Sequence, residues 1–102
     1  MPPFLDELRS WSSVYSDSGG RRSVRVEYSQ NLDDGPKRAA WITVEGTQAT
    51  GQLTLWESGE CDTEAHGAQG PILLRSRVLS DPVLVAAIAD DLVDHVADYS
   101  GT

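Results

Sequence analysis

The sequence predicts an α+β domain in which an N-terminal and a C-terminal helix pack on one face of a five-stranded antiparallel meander sheet. Three observations lead to this class. Apolar residues recur every three or four positions near both ends of the chain, as they do along amphipathic helices. Between the ends, apolar and polar residues alternate in five short segments, as they do in half-buried strands. Short runs of turn formers separate those segments and favour hairpins between consecutive strands. A chain of 102 residues is expected to form one domain, spanning residues 1–102.

The first helix is predicted from the apolar residues of the opening segment. Their spacing gathers them on one side of a helix of period 3.6, and they are Phe4, Leu5, Leu8, Trp11 and Tyr15. Pro2 and Pro3 suit the start of a helix, where a missing N–H costs nothing. The run SDSGGRR at residues 16–22 contains two glycines and no apolar residue, so it should end the helix and begin a loop.

The first two strands are predicted on either side of a hairpin loop. SVRVEYS, residues 23–29, alternates valines and tyrosine with charged residues. NLDDGPKR, residues 31–38, is rich in turn formers and should form the loop. AAWITVEG, residues 39–46, then directs Ile42 and Val44 to one face and Trp41 to the other.

The third and fourth strands follow two further turns. Gly46 and Gly51 are expected to bracket the first of these, before the strand QLTLWE at residues 52–57. Ser58-Gly59 should form a tight turn into the strand ECDTEAH at residues 60–66. Asp and Glu are poor strand formers, but the alternation supports this strand. Small neutral residues occupy one face of it and the charged residues Asp62, Glu64 and His66 the other.

The fifth strand, ILLRSRVL at residues 72–79, should follow a turn at residues 67–71. Its alternation is interpreted with Ile72, Leu74 and Val78 facing the core and with Arg75 and Arg77 facing outward.

The last helix is expected to begin at Asp81-Pro82, an N-cap acceptor followed by a proline, and to end at Gly101. Apolar residues recur along it every three or four positions: Val85, Ile88, Leu92, Val96 and Tyr99. Four aspartates lie off this stripe and should form the solvated side: Asp90, Asp91, Asp94 and Asp98.

Two helices can cover only one face of the predicted sheet, so the opposite face should be open, as antiparallel sheets allow. The covered face should carry Val24, Val26, Ile42, Val44, Leu53, Leu55, Ile72 and Leu74. The open face should carry Arg25, Glu27, Trp41, Thr43, Gln52, Thr54, Trp56, Asp62, Glu64, Arg75 and Arg77.

Composition narrows the classes of partner. Eight basic residues against sixteen acidic ones give a net charge of −8, which disfavours nucleic acid and suits a basic protein surface. We expect no membrane partner, because no segment approaches transmembrane length. The opening residues MPPFLDELRS lack the basic and apolar regions of an export signal, so a cytoplasmic location is expected.

The residue types that perform catalysis or bind metals do not form a recognisable pattern. Cys61 and His66, a conceivable nucleophile and base, should point to opposite faces of one strand, and a single cysteine excludes a cysteine-rich zinc site. The carboxylates of Glu57, Glu60, Asp62 and Glu64 could do acid–base work or bind a hard cation, but their spacing does not match a calcium loop. HExxH, phosphate-loop and dinucleotide motifs are also missing from the sequence. We therefore expect no catalytic residues, no metal and no cofactor, and predict a protein that is not an enzyme.

Two tryptophans on the open face are the strongest functional signal. Tryptophan is a frequent interface anchor, and a rim of charges is typical of binding patches. A terminal segment folded over them, or a one-residue slip at a bulge, would remove this interpretation. The residues predicted to bind a protein partner are Trp41, Trp56, Glu57, Glu60, Asp62, Glu64 and Arg75.

The run GQLTLWESGECDTEAH, residues 51–66, together with the final amphipathic helix, resembles the TriTu family of bacterial immunity proteins of polymorphic toxin systems. The matching motif positions are Gly51, Trp56, Glu57, Ser58, Gly59 and Glu60. The resemblance implies an inhibitor that binds a cognate toxin domain tightly. In the founding pair that toxin is an ADP-ribosyltransferase directed at the translation factor EF-Tu.

Together with the open face, the resemblance implies a monomer that covers the basic, NAD-binding cleft of a toxin in a 1:1 complex. A different class remains open, a small acidic secretion or effector chaperone, which would be dimeric and bind an unfolded segment.

Overall fold

Five antiparallel strands and two helices make up the fold. The computed structural model describes residues 3–17, 24–31 and 38–99. The elements are α1 (Pro3–Asp17), β1 (Arg25–Asn31), β2 (Ala39–Glu45), β3 (Ala49–Trp56), β4 (Glu60–Gly67), β5 (Gly70–Val78) and α2 (Leu84–Asp98). The strands form one sheet in the order β1-β2-β3-β4-β5, with every neighbouring pair antiparallel. The predicted α+β meander is confirmed. Pro2, Gly101, residues 18–22 of the loop predicted over 16–22 and residues 32–37 of the loop predicted over 31–38 lie outside the described residues. Helix α1 continues to Asp17 and β1 to Asn31, so each extends into the predicted loop.

Both helices pack on the same face of the sheet, because each has one apolar side. Helix α1 lies on β1, β2 and β3, helix α2 lies on β2, β3 and β4, and the two helices contact each other. The largest fully buried side chains come from both layers: Leu8, Ile42, Val44, Leu53, Leu55, Cys61, Val85, Leu92 and Val96. The predicted covered face is therefore confirmed for β2 and β3, and the apolar stripes of both helices are confirmed as the sides that meet the sheet.

A polar contact links the two helices at the edge of the core. The Trp11 indole N–H donates a hydrogen bond to Asp90 Oδ1 over 2.9 Å, and the Trp11 ring stacks on Tyr15 with centroids 5.2 Å apart. All four aspartates predicted on the solvated side of α2 are exposed. Neither helix among the described residues is long and apolar enough to cross a membrane.

Helix α2 begins at Leu84, three residues after the expected N-cap. The Asp81 carboxylate does accept a backbone bond, from the Val83 N–H at 3.0 Å. The next donors belong to a turn, since the Leu84 and Val85 N–H groups bond to the carbonyls of Asp81 and Pro82 at 3.1 and 3.0 Å. Asp81 therefore caps a single turn that leads into the helix.

Ile72 packs against the core as predicted, but the facing predicted for β5 is wrong from Leu74 onward, because the pairing of β4 with β5 contains a bulge. Ala65 lies opposite Leu73, but the next residue of β4, His66, lies opposite Pro71, so one residue of β5 is left over. A shift of one residue moves every later side chain to the other face. Leu73 is consequently buried, whereas Leu74 and Val78, predicted to face the core, are exposed.

Arg75 and Arg77 are affected by the same shift. They lie opposite Thr63 and Cys61, whose side chains are buried on the helix-covered face. Their predicted place on the open face is therefore wrong.

The turn between β2 and β3 is shorter than predicted. It occupies residues 46–48, and Gly51 lies inside β3. A Cβ on Gly51 would stand 2.8 Å from Leu92 Cδ1 and 2.9 Å from Val96 Cγ2. The glycine therefore lets α2 approach the sheet closely, a requirement of packing that a local turn signal does not reveal.

Candidate partner-binding surface

The sheet face that carries neither helix, called here the open face, presents both tryptophans predicted on it. Trp41 lies opposite Thr54, and Trp56 lies opposite Ala39, which makes the two tryptophans diagonal neighbours on β2 and β3. Both are half-buried, and neither packs against the core under the helices. The bulge that changes β5 lies beyond them and leaves their facing as predicted.

Three of the predicted carboxylates stand beside the tryptophans on β4. Glu60 lies opposite Val78, while Asp62 lies between Thr54 and Ser76 in the neighbouring strands. Trp41 and Asp62 both pair with Thr54, so two strand spacings, about 10 Å of backbone, separate them. Glu64 lies one step further along β4, opposite Gln52 and Leu74. Apolar and anionic groups therefore share one small area of the open face.

A shallow depression of about 340 Å³ lies between β3 and β5 on this face. Its lining consists of Gln52, Thr54, Asp62, Thr63, Glu64, Leu74, Arg75 and Ser76. The Gln52 side-chain amide donates to Thr54 Oγ1 over 3.1 Å, which holds one wall in place. Asp62 and Glu64 are exposed on the other wall. Because these carboxylates are exposed, a basic side chain of a partner can reach their oxygens in the depression.

The remaining charges of the open face are mostly negative. Glu27 and Glu45 lie on β1 and β2, and Arg25 forms an ion pair with Glu27 at 2.6 Å. His66 Nε2 lies 3.6 Å from Glu64 Oε2. Among residues 24–31 and 38–78, the open face thus carries five carboxylates against one arginine and one histidine: Glu27, Glu45, Glu60, Asp62 and Glu64. The surface is arranged to attract a positively charged partner.

A comparison with protein families decides the class to which this chain belongs. The model of the family described as immunity protein TriTu matches residues 6–90. The chain belongs to the TriTu immunity protein family. The match includes the whole sheet and both open-face tryptophans. A search of curated proteins found no match. Membership makes this chain an immunity protein, a class of protein that binds a cognate toxin protein.

The WESGE turn of this TriTu chain is fixed by its backbone. Gly59 has φ +97°, its N–H donates to the Trp56 carbonyl at 2.9 Å, and its carbonyl accepts the Leu79 N–H at 2.8 Å. A Cβ on Gly59 would stand 3.1 Å from Phe4 Cζ, so α1 closes over the turn. Ser58 alone is exposed at the tip. The motif therefore ties the end of β3, next to Trp56, to α1 and to the end of β5.

Two residues of the predicted binding set lie outside the open face. Glu57 belongs to the turn after Trp56, where its N–H donates to the Arg38 carbonyl at 3.0 Å. Arg75 lies on the helix side of β5, as described above. The open face instead includes Leu74, Ser76 and Val78, which the sequence interpretation missed. Pro71 was the available signal, although it was assigned to the turn at residues 67–71, since proline in a sheet marks an edge or a bulge.

The cysteine of the chain is not arranged for nucleophilic chemistry. Burial raises the pKa of the Cys61 thiol to about 11, with the Arg77 charge opposing that rise and Asp62 adding to it. The thiol is therefore protonated at neutral pH, whereas a thiolate is the nucleophile. Cys61 lies opposite Leu55 on the covered face and His66 opposite Thr50 on the open face, which confirms that the two point apart. Among the residues described, no group of three or more His, Cys, Asp or Glu side chains is placed to hold a metal ion.

Proposed function

We propose that this immunity protein neutralises its toxin by laying the open face over the toxin's active-site region in a 1:1 complex. Trp41 and Trp56 supply the apolar anchors, and Glu60, Asp62 and Glu64 supply the anionic contacts. The observation that supports this most directly is the pair of half-buried tryptophans, diagonal neighbours on a sheet face that no helix covers.

The tryptophans have the features of an energetic centre of a binding surface. Anchors of this kind are large, poorly accommodated by water, and held in place before binding. Trp41 is paired on both sides, with Ser29 and Thr54. Trp56 is paired with Ala39, and its carbonyl accepts the Gly59 N–H of the turn, so both backbones are fixed before binding. A partner that covers them would bury apolar area without having to order a loop, which limits the entropic cost of association.

The carboxylates indicate the chemistry of the surface that would be covered. An enzyme cleft that binds the pyrophosphate of NAD is basic, and carboxylates can occupy the place of the phosphates. We propose an ADP-ribosyltransferase as the toxin, which the family resemblance and the negative open face both support. Glu57, next to Trp56 in the WESGE turn, would contribute at the rim of the contact.

The proposal is tested by measuring affinity for the cognate toxin domain, to be sought first in the gene adjacent to the one that encodes this chain. Trp56→Ala, and separately the double change Glu60→Lys with Asp62→Lys, should each weaken binding by at least about 2 kcal/mol, the range of an interface hot spot. In parallel, nicotinamide release from NAD by the toxin should be suppressed by the unchanged chain and restored by these variants.

A matched control separates surface contacts from net charge. Asp94→Lys with Asp98→Lys makes the same change in charge at the end of α2, on the other side of the sheet, and should leave affinity within about 0.5 kcal/mol. Thermal unfolding verifies that each variant is folded. If neither test variant weakens binding by more than about 1 kcal/mol, the proposed surface is wrong.

A further inference from the structure

Among the described strands near α2, β5 is the one that the rest of the protein covers least. It is the last strand of the sheet, so one of its two backbone edges faces away from β4. Helix α2 packs on β2, β3 and β4 and leaves the helix side of β5 largely uncovered. Leu73 is the only buried residue of its nine. A strand of this length with an uncovered edge is a template for the addition of another strand.

Exposed apolar side chains are concentrated around this edge. Five large hydrophobic residues of the described chain are exposed, and four of them border β5 or the turn that follows it. They are Leu74 (62% exposed), Val78 (73%), Val83 (68%) and Leu84 (41%). Leu74 and Val78 lie on the open face of β5, while Leu84 lines the groove on its helix side, so exposed apolar groups flank this edge on both faces.

Two arginines lie at the same edge without an ion-pair partner among the described residues. Although the chain has twice as many acidic as basic residues, no carboxylate among residues 3–17, 24–31 and 38–99 forms an ion pair with Arg75 or Arg77. Both arginines line a groove of about 480 Å³ between β5 and the first half of α2, which Leu84 and Ile88 also line. Asp91 also lines the groove, on the α2 side, where its carboxylate lies 3.5 Å from His95 Nδ1. The groove therefore combines an apolar wall with two arginines on its β5 side that form no ion pair with the described carboxylates.

These charges argue against a second copy of this chain as the occupant. Antiparallel pairing of β5 with its own copy would bring Arg75 and Arg77 close to the same residues of the other chain, and like charges on adjacent strands are destabilising. Pro71 and the bulge already impair pairing at the start of β5, but residues 73–78 keep a regular register.

We propose that the edge of β5 binds an extended segment of a protein partner by strand addition, with two acidic residues of that segment facing Arg75 and Arg77. On an added strand, residues opposite Arg75 and Arg77 are two apart and project into the groove, while residues opposite Leu74 and Val78 project on the open face. The recognised pattern is therefore apolar, acidic, any residue, acidic, apolar. This site is separate from the tryptophan pair and uses the opposite sign of charge.

A synthetic peptide tests the proposal without the toxin. The probe is acetyl-Ser-Val-Glu-Thr-Glu-Val-Ser-amide, and its control carries lysine in place of both glutamates. In a titration followed by amide NMR shifts, the acidic peptide should bind the unchanged chain with a Kd of about 1 mM or tighter, the strength expected of a short segment. The largest shifts should fall on residues 73–78 and 84–88, and the lysine peptide should produce none of them.

Variants of the two arginines give the decisive comparison. Arg75→Glu with Arg77→Glu should weaken the acidic peptide at least about tenfold and allow the lysine peptide to bind. If the double variant does not fold, Arg75→Gln replaces it as the test. This change is at an exposed position and should weaken binding of the acidic peptide severalfold. The proposal is overturned if the acidic peptide does not bind by about 5 mM, if it binds all variants equally, or if its shifts map to Trp41 and Trp56.

Two further outcomes would also overturn the proposal that a partner segment adds to the edge of β5. One is displacement of the peptide by an equal concentration of inorganic phosphate, which would indicate a simple anion site. The other is a dimeric mass for the free chain that becomes monomeric in the arginine variants. The peptide experiment does not involve the toxin. If the peptide does not bind, the open-face proposal is unaffected and is still tested by toxin affinity.

Discussion

At the scale of single residues, two glycines share a positive φ but differ in how closely other atoms surround them. Gly59 has φ +97° and Gly70 has φ +118°. A Cβ on Gly59 would stand 2.8 Å from the Leu79 carbonyl oxygen, whereas a Cβ on Gly70 would have no atom within 4 Å. The two positions therefore differ mainly in the space around them.

Alanine at these two positions should destabilise the fold to different degrees. Gly70→Ala should lower the free energy of unfolding by about 1–2 kcal/mol, through conformational strain alone. Gly59→Ala should lower it by about 3 kcal/mol or more, because crowding against Leu79 and Phe4 is added to the strain. Urea unfolding measures both. Equal losses would show that α1 and β5 do not enclose the WESGE turn as described.

The buried thiol of Cys61 predicts a pH dependence of stability. Its pKa is raised from an ordinary value of 9.0 to about 11, chiefly by burial. The folded state then holds the proton more tightly than the unfolded state does. This contribution is fully present below about pH 9 and is lost as the pH rises to about 11. The total loss should be about 2–3 kcal/mol.

Comparison with Cys61→Ala isolates the thiol from tyrosine and lysine groups that titrate in the same range. The difference in free energy of unfolding between the two proteins should change between pH 9 and pH 11 and stay constant below. A thiol reagent at pH 8 should label the unchanged chain only after unfolding. Rapid labelling of the folded chain would contradict the burial of Cys61.

At the scale of elements, the start of α2 depends on one side chain. Asp81→Ala removes the acceptor of the 3.0 Å bond from the Val83 N–H and should lower the free energy of unfolding by about 1 kcal/mol. Asp81→Asn keeps an acceptor oxygen and should retain most of that stability. Thermal unfolding compares the three proteins. Equal stability of Asp81→Ala and the unchanged chain would show that this turn does not stabilise the helix.

Most of the elements could be predicted from local patterns, because each has an apolar side of the right period. The facing of β2, β3 and β4 followed from alternation, and it placed Trp41, Trp56, Asp62 and Glu64 correctly on the open face. The facing of β5 did not follow, because the sequence shows several apolar residues in a row and hides the extra residue near Ile72. Bulges depend on pairing with a neighbouring strand, which a single segment does not reveal.

The prediction that Gly51 belongs to a turn was wrong for a related reason. A glycine near a predicted turn was interpreted as part of it, whereas here it makes room for Leu92 and Val96 of α2. Such a requirement arises from contact between residues far apart in the chain. The same limit applies to Arg75 and Arg77, whose relation to the groove beside α2 appears only once the helix and the edge strand are placed together.

At the scale of the whole molecule, charge is distributed so that different sides suit different partners. The open face and the outer side of α2 are acidic, whereas the helix side of β5 carries two arginines that form no ion pair within the described parts of the chain. A chain with a net charge of −8 can therefore meet a basic toxin cleft with one surface and an acidic segment with another. Both surfaces adjoin β5, so one partner is able to contact them together.

The central claim, that the open face covers the toxin, is tested most directly by hydroxyl-radical footprinting of the complex. The three tryptophans of the chain serve as reporters, since Trp41 and Trp56 lie on the open face and Trp11 lies on the helix side, bonded to Asp90. Toxin binding should protect Trp41 and Trp56 from oxidation and leave the oxidation of Trp11 unchanged. Protection of Trp11 alone, or of none of the three, would contradict the account.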